Sequence, residues 1–252
     1  MESQYDKFAA DYEWLFSDRV LADGPYYFEG LRPILEQLPA DPLILDSACG
    51  TGVAALALAR RGYNVTGTDA SEGMIAQSTR HAAKEGLSVQ FSVCPWERLP
   101  DRFGQEFDLA LCCGNAIGNC RDEGEMLRSL RGIRHVLKPG GWIVADTRNW
   151  EKVLAERVRF IHFDPRVREG KRCIPVMVWT FPGDPSDRVL VEVVFLFEQD
   201  GEVTLRSYPI TYYPFRVEEL LGRMRSAGFA DAATDYSHDK PGYQVTGRKE
   251  RM

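Results

Sequence analysis

The chain has 252 residues, of which 44% are hydrophobic, and its formal net charge at pH 7 is −6. This size fits one α/β domain with an insertion, or at most two small domains, and the negative charge argues against a nucleic-acid surface, which would need clustered Lys and Arg. No apolar run approaches the roughly 18 residues of a membrane span, and the polar N-terminus lacks a signal-peptide pattern. The six cysteines form no C-x-x-C pair. We therefore expect reduced thiols and a cytoplasmic protein.

Residues 1–40 are predicted to form helices ahead of the first core strand, because apolar side chains recur there at helical spacing. Tyr5, Tyr12 and Trp14 lie in this segment. Their rings either contact a ligand or anchor the segment on the core, and the sequence leaves both interpretations open.

A glycine turn between two short strands follows. The first apolar run ends at Asp46, and the turn after it contains Gly50 and Gly52. A helix then leads into a second strand at residues 64–69, which ends at Asp69. Glycines let the backbone approach a ligand closely, and an acid at the second strand tip can accept hydrogen bonds from both ribose hydroxyls. This βαβ unit predicts a nucleoside-binding site.

The remaining chain continues the alternation of strands and helices until residue 155. Parallel strands are predicted at residues 89–93, 107–113 and 142–146, and closing antiparallel strands at 229–236 and 243–247. Residues 156–215 instead alternate as antiparallel strands, with a hairpin turn at Asp200-Gly201. We expect a Rossmann-like, doubly wound α/β sheet of seven strands, the last antiparallel. The predicted parts are a helical lid (1–40), a core (41–155 and 216–252) and an antiparallel β insertion (156–215).

The stretch D-x-A-C-G-T-G at residues 46–52 resembles motif I of class I S-adenosylmethionine (SAM) methyltransferases. This resemblance implies SAM as the cofactor and S-adenosylhomocysteine as its product. It also implies that residues 5–12 form a lid over the cofactor. The cofactor contacts that it implies are Tyr12, Asp46, Ala48, Gly50, Gly52, Asp69, Ala70, Met74, Trp96 and Cys113.

Three later segments resemble the glycine and sarcosine N-methyltransferases. They are Gly114 to Asn119, the D-x-R-N-W stretch at residues 146–150, and Tyr212-Tyr213-Pro214. Asn119 stands where that family has His. The resemblance implies catalytic roles for Asn115, Arg148 and Tyr213, with the Arg148 guanidinium gripping a substrate carboxylate. The alternative for Arg148 is a surface ion pair.

These features predict methyl transfer from SAM to the amine of a small carboxylate-bearing substrate. A natural-product N- or O-methyltransferase is the alternative, and a non-catalytic SAM-binding protein is a further one. An NAD(P)-dependent oxidoreductase lacks support, because the third glycine of G-x-G-x-x-G is absent. We expect a small-molecule substrate, no nucleic-acid or membrane partner and no metal site, since the His-Asp pairs lack ligand spacing. Homo-oligomerisation stays open.

Overall fold

The computed structural model describes residues 3–25, 28–184 and 187–251. The α-helices are α1 (Asp18–Asp23), α2 (Phe28–Leu35), α3 (Val53–Arg60), α4 (Glu72–Glu85), α5 (Leu99–Arg102), α6 (Glu123–Val136), α7 (Trp150–Glu156) and α8 (Val217–Ser226). The strands are β1 (Leu43–Asp46), β2 (Asn64–Asp69), β3 (Gln90–Val93), β4 (Phe107–Cys112), β5 (Leu137–Arg148), β6 (Phe160–His162), β7 (Arg166–Arg168), β8 (Lys171–Thr180), β9 (Val189–Gln199), β10 (Glu202–Tyr212), β11 (Phe229–Thr234) and β12 (Gly242–Lys249). Short 3₁₀ helices occupy Tyr12–Leu15, Trp96–Arg98 and Ala116–Asn119.

Seven strands form the central sheet in the order β11-β12-β5-β4-β1-β2-β3. β12 pairs antiparallel with both β5 and β11, while β1, β2, β3, β4 and β5 pair in parallel. The predicted fold is therefore confirmed, including its antiparallel last strand. The strand order reverses at β1, so a crevice opens beyond the carboxyl ends of β1 and β4. Asp46, Asp69 and Asp146 all lie at this edge.

The core lies on both faces of this sheet. β4 is buried along its whole length, as expected for a parallel strand with helices on both faces. α6 buries Met126, Leu130, Ile133 and Val136 at helical spacing. Gly62 follows α3 with φ +87° and ends that helix, as its sequence predicts.

The insertion forms a second, antiparallel sheet in the order β10-β9-β8-β6, with β7 paired to β8. Asp200 and Gly201 both have positive φ values, 52° and 79°, so they make the predicted tight turn between β9 and β10. The sequence pattern did not reveal β7, whose three residues form a short hairpin with the start of β8. The boundaries of the three predicted parts stay a prediction.

The first part of the N-terminal segment differs from the helical structure predicted for residues 1–40. Residues 4–11 form hydrogen-bonded turns, and the regular structure begins only with the 3₁₀ helix at Tyr12. The Asp6 carboxylate explains the difference, because it accepts hydrogen bonds from the Ser71 hydroxyl (2.6 Å) and the Gly73 N–H (3.2 Å). These tertiary contacts fix the segment in a shape that local helix propensity does not determine. Within the described ranges, no helix combines the length and apolarity needed to cross a bilayer.

Candidate functional site

Two adjoining cavities open at the carboxyl edge of the central sheet, with volumes of about 410 and 690 Å³. The residues that line both are Tyr5, Tyr12, Ala48, Gly50, Cys113 and Gly114. The smaller cavity extends towards β2 and the larger one towards β5 and the insertion. Most of the predicted site residues therefore meet in one place.

Gly50 and Gly52, the two glycines of the turn after β1, have different surroundings. Gly50 has φ +52°, and a Cβ built there would meet only the Tyr12 ring, at 3.6 Å. The backbone at Gly50 thus faces open cavity. Gly52 has φ +90° and lines neither cavity, because a Cβ there would lie 3.1 Å from Ser78 and 3.2 Å from Phe91. Gly52 lets the turn pack closely against α4 and β3.

Asp69 is held at the tip of β2 by backbone groups. Its two carboxylate oxygens accept hydrogen bonds from the N–H groups of Gly50 and Ser71, each at 2.9 Å. Burial raises its pKa above the usual range. Each oxygen keeps a further lone pair, and the side chain lines the smaller cavity. This is an arrangement that can accept the hydroxyls of a ribose.

The other predicted nucleoside contacts surround Asp69. Ala70, Met74 and Trp96 line the same cavity. The Trp96 indole N–H donates to the Ser47 hydroxyl at 3.2 Å, which fixes the ring over the turn after β1. A Cβ on Gly132 of α6 would collide with the Trp96 carbonyl oxygen, so α6 holds this loop in place from behind.

Asp46 is a buried acid in the floor of the larger cavity. Its side chain is 2% exposed, and its Oδ2 has no hydrogen-bond partner among the described residues. Burial, followed by the nearby charge of Asp69, raises the pKa of Asp46 to about 7. A carboxylate in this position favours a positively charged ligand, because such a ligand offsets the cost of keeping the acid ionised.

Asn115 and Arg148 meet where β4 and β5 end. The Asn115 Oδ1 accepts hydrogen bonds from the Arg148 backbone N–H (3.1 Å) and the Thr147 hydroxyl (3.0 Å). A backbone N–H can only donate, so this contact fixes which end of the amide is oxygen. The Asn115 Nδ2 is buried and has no hydrogen-bond partner among the residues that the structure describes, and Asn115 lines the larger cavity.

The Arg148 guanidinium lies over the Trp179 ring, 5.3 Å from its centroid, and 4.0 Å from the Met177 sulfur. Its Nε is buried, and no group in the described ranges accepts a hydrogen bond from it. In the part of the chain that the structure describes, no acidic oxygen lies within 4.0 Å of it. Arg148 therefore does not form an ion pair with any described residue, which argues against the alternative of a surface ion pair.

The structure places Tyr213 outside both cavities. Its backbone N–H donates to the Gly118 carbonyl at 2.8 Å. Tyr212 lines the larger cavity instead, with its hydroxyl 3.4 Å from that of Tyr5 and its ring 5.5 Å from Trp150. Side chains alternate along β10, so only one of two adjacent tyrosines can point inward.

Asn119 has a contact role that the sequence did not indicate. Its Oδ1 accepts hydrogen bonds from the Tyr5 hydroxyl (3.1 Å) and the Gln4 amide (3.0 Å). Burial, and then the nearby Tyr212, raises the pKa of Tyr5 well above its usual value, so this hydroxyl stays protonated and donates. Asn119 therefore ties the N-terminal segment to the loop after β4.

Asn149 is a second position whose role the sequence did not reveal. It is fully buried, and its amide donates to the carbonyls of Ser237 (3.3 Å), His238 (3.2 Å) and Lys240 (3.1 Å). Its Oδ1 accepts from the Lys152 N–H at the start of α7. Asn149 thus fixes the loop before β12 as one wall of the larger cavity. The only indication in the sequence that Asn149 lies at the site was its position directly after Arg148.

A cover lies over the site; we use this name for residues 3–25 together with the insertion sheet. The buried Asp11 accepts two hydrogen bonds from Arg206 (3.0 Å each) and one from the Tyr208 hydroxyl (2.6 Å). Phe8 stacks on Tyr208 with ring centroids 5.0 Å apart. The N-terminal segment and the insertion are therefore joined by both charge and aromatic packing.

All six cysteines are buried and free of disulfides. Cys113 lines both cavities, and its thiol lies 3.6 Å from the Val144 carbonyl. Burial, and then the charge of Asp146, raises the pKa of Cys113 well above its usual value, so the thiol stays protonated. Among the described residues no three His, Cys, Asp or Glu side chains are grouped as metal ligands.

A family model described as a methyltransferase domain matches residues 44–141. The glycine N-methyltransferase of Oryctolagus cuniculus is 30% identical over 204 residues, which cover 73% of this chain and 68% of that protein. The chain belongs to the class I SAM-dependent methyltransferases. A glycine/sarcosine N-methyltransferase of Parasynechococcus marenigrum is 26% identical over 197 residues. The aligned region covers 77% of the present chain and 67% of the Parasynechococcus protein.

Among solved structures, the sugar N-methyltransferase KedS8 of a Streptoalloteichus species has a TM-score of 0.75. The two sequences are 21% identical, and the superposition covers 100% of the present chain and 94% of KedS8. SAM is the cofactor of this methyltransferase, and the residues present fit it. Gly50 leaves the turn open, Asp69 keeps lone pairs, and Asp46 offers an unpartnered oxygen for a cation.

Proposed function

We propose that this methyltransferase transfers the methyl group to the amine of a small substrate that carries a carboxylate. The observation that supports this proposal is a pair of unpartnered buried donors, Arg148 Nε and Asn115 Nδ2. Both residues line one cavity, and each unpartnered donor costs free energy until a ligand acceptor occupies it. A carboxylate is the acceptor that a guanidinium prefers, since two parallel hydrogen bonds can form.

In this mechanism SAM supplies an electrophilic methyl group, and the chain provides binding and alignment. Arg148 and Asn115 hold the carboxylate. Trp179 and Met177 pack against the guanidinium and limit its freedom. The hydroxyl of Tyr212 borders the same cavity and accepts a hydrogen bond from the substrate amine, which must arrive neutral with its lone pair free.

The test is transfer of labelled methyl from SAM to glycine, sarcosine, dimethylglycine and larger amino acids, each beside the matching amine without a carboxylate. Arg148→Met should lower kcat/KM for the carboxylate-bearing acceptors by roughly 10- to 150-fold, the equivalent of one charge-assisted hydrogen bond. Arg102→Met is the matched control, because Arg102 also lies over an aromatic ring, Phe103, at 5.7 Å but lines neither cavity. Equal losses for acceptors with and without the carboxylate would refute this assignment.

A second candidate is N-methylation of a larger natural product such as an amino sugar. The size of the cavity favours it, since about 690 Å³ exceeds what glycine requires even with part of the donor inside. The polar side chains of Asp235 and Lys240 line the same cavity, and the similarity to KedS8 covers nearly all of both chains. Transfer to amino sugars but to no amino acid would favour this candidate. Donor binding without transfer to any of these acceptors would move the search to natural-product phenols and other amines.

A further inference from the structure

One side of the larger cavity is lined by apolar side chains that take no part in the smaller one. We call this side the apolar lobe. Its five residues are half-buried and line the larger cavity alone: Leu15, Phe16, Val20, Val53 and Phe163. Phe16, Val20 and Val53 belong to neither of the two core clusters of the described residues. The lobe therefore presents apolar surface to whatever enters the cavity.

The walls of the apolar lobe are held by contacts within the chain. The end of α1 packs closely on α3, because a Cβ on Gly24 would lie 2.8 Å from the Ala57 Cβ. Two arginines of β7 reach across to the N-terminal segment, where the Phe16 carbonyl accepts hydrogen bonds from Arg166 Nε (3.1 Å) and Arg168 Nη2 (2.9 Å). These bonds hold the loop between β6 and β7 against the N-terminal segment. The lobe is thus preformed, as small-molecule sites usually are.

The apolar lobe adjoins the guanidinium proposed to hold the carboxylate. The Met177 sulfur lies 4.0 Å from the Arg148 Nη2. Met177 pairs with Ile161 of β6, and the Phe163 N–H donates to the Pro175 carbonyl at 3.0 Å, which continues the same register. Phe163 and Met177 are therefore diagonal neighbours on one face of the insertion sheet, about 7–8 Å apart. Only one side chain separates the lobe from Arg148.

We propose that the acceptor is an α-amino acid with an apolar side chain of several carbons, which lies in the apolar lobe while Arg148 holds the carboxylate. This inference rests on the proposed function. The α-carbon carries both groups, so one small ligand can place its carboxylate at Arg148 and its side chain against Phe163. Glycine would leave the lobe unfilled. Asp235 and Lys240 of the same cavity are half exposed and bind each other at 3.0 Å, so their charges are already paired.

The first test is a series of acceptors of increasing length: glycine, alanine, α-aminobutyrate, norvaline and norleucine. From alanine to norleucine, kcat/KM for methyl transfer should rise roughly fourfold for each added methylene, the effect of burying one CH₂ group. A series that is flat or falls with length, while transfer still requires the carboxylate, would overturn the proposal.

Variants locate the effect in the lobe. Phe163→Ser should lower the ratio of kcat/KM for norleucine to that for alanine by roughly tenfold, because it makes one wall polar. Phe160→Ser is the matched control, since Phe160 lies on β6, is 66% exposed and lines neither cavity. Its ratio should equal that of the wild-type protein. Val20→Phe fills the lobe from α1 and should lower the same ratio, which keeps the test decisive if Phe163→Ser does not fold.

Circular dichroism and SAM binding check that each variant is folded. An unchanged ratio in folded Val20→Phe and Phe163→Ser would refute the role of the lobe. Pentylamine, which is norleucine without its carboxylate, separates this inference from the proposed function. Equal transfer to pentylamine and norleucine would refute the proposed function and the α-amino acid with it. Preference for norleucine over pentylamine, without any dependence on side-chain length, would refute the apolar lobe alone.

Discussion

At the scale of single residues, Asp46 makes donor binding depend on pH. With a pKa raised to about 7, this carboxyl is mostly neutral at pH 6 and mostly ionised at pH 8. SAM carries positive charge, so it binds the ionised form better, and its association constant should rise with pH up to about 7 and then level. We expect about tenfold weaker binding at pH 6 than at pH 8. Calorimetric titration of SAM at both pH values measures this.

Asp46→Asn is the control, because the amide keeps an acceptor for the backbone but cannot ionise. Its SAM affinity should be lower at pH 8 and nearly the same at pH 6 and 8. The raised pKa of Asp46 also makes the stability of the protein depend on pH. Without SAM, the free energy of unfolding should fall as the pH rises from about 4 to about 7, because the folded state binds the Asp46 proton more tightly than the unfolded state does. A variant with the wild-type pH dependence would contradict the role of Asp46.

The position of a single residue was easiest to predict from the sequence where it depends only on the course of the backbone. Asp46 and Asp69 each end a short predicted strand, and the parallel pairing of these two strands brings both acids to one edge. The sequence predicts Tyr213 as the site residue, whereas the structure places Tyr212 at the cavity, because the inward face of β10 depends on its register against β9. The contacts of Asn119 and Asn149 lie over 80 positions away along the chain in most cases, and no local pattern encodes them.

At the scale of elements, the contact between the N-terminal segment and α4 depends on a glycine. A Cβ on Gly73 would lie 2.5 Å from the Asp6 carbonyl oxygen. Gly73→Ala should displace the N-terminal segment, at a cost of roughly 1–2 kcal/mol. The dissociation constant of SAM should therefore rise roughly 5- to 30-fold, as measured by fluorescence titration.

Gly104→Ala is the matched control, because a Cβ there meets nothing within 4 Å. It should leave the SAM affinity unchanged. Alanine is also the better helix former at Gly73, so α4 itself should not weaken. Wild-type affinity in Gly73→Ala would mean that the N-terminal segment does not contribute to donor binding.

The start of α7 and the loop before β12 depend on one side chain, Asn149. Asn149→Ala removes three hydrogen bonds to carbonyls and the cap of α7. We expect the free energy of unfolding to fall by about 2–4 kcal/mol. Urea denaturation measures it, with Asn64→Ala at an exposed strand position as a control that should stay within about 0.5 kcal/mol. Equal stability of the two variants would contradict this role.

Elements were predictable where local and tertiary preferences agree. The strands of the central sheet and the long strands of the insertion follow from apolar runs and turn residues, and Asp200-Gly201 adopts the positive φ values that such a turn requires. The segment at residues 4–11 was not predictable, because the carboxylates of Asp6 and Asp11 find their partners on α4 and β10. Those contacts, rather than helix propensity, determine its shape.

At the scale of the whole molecule, the cover joins residues that are almost 200 positions apart in sequence. Asp11 accepts hydrogen bonds from Arg206 and Tyr208, 195 and 197 positions later in the chain. The cavities lie between this cover and the carboxyl edge of the central sheet. Because Asp11 holds the two parts of the cover together, opening of the N-terminal segment and of β10 should be coupled.

Asp11→Ala tests this coupling, because it removes the carboxylate that joins the two parts of the cover. Losing charge-assisted hydrogen bonds worth about 1.5–3 kcal/mol should speed amide hydrogen exchange about tenfold or more in residues 3–16 and in β10 together. SAM should slow exchange in both segments of the wild-type protein. Glu36→Ala, which removes an exposed ion pair with Arg32, should leave exchange in both unchanged. Faster exchange in only one segment would show that the two open independently.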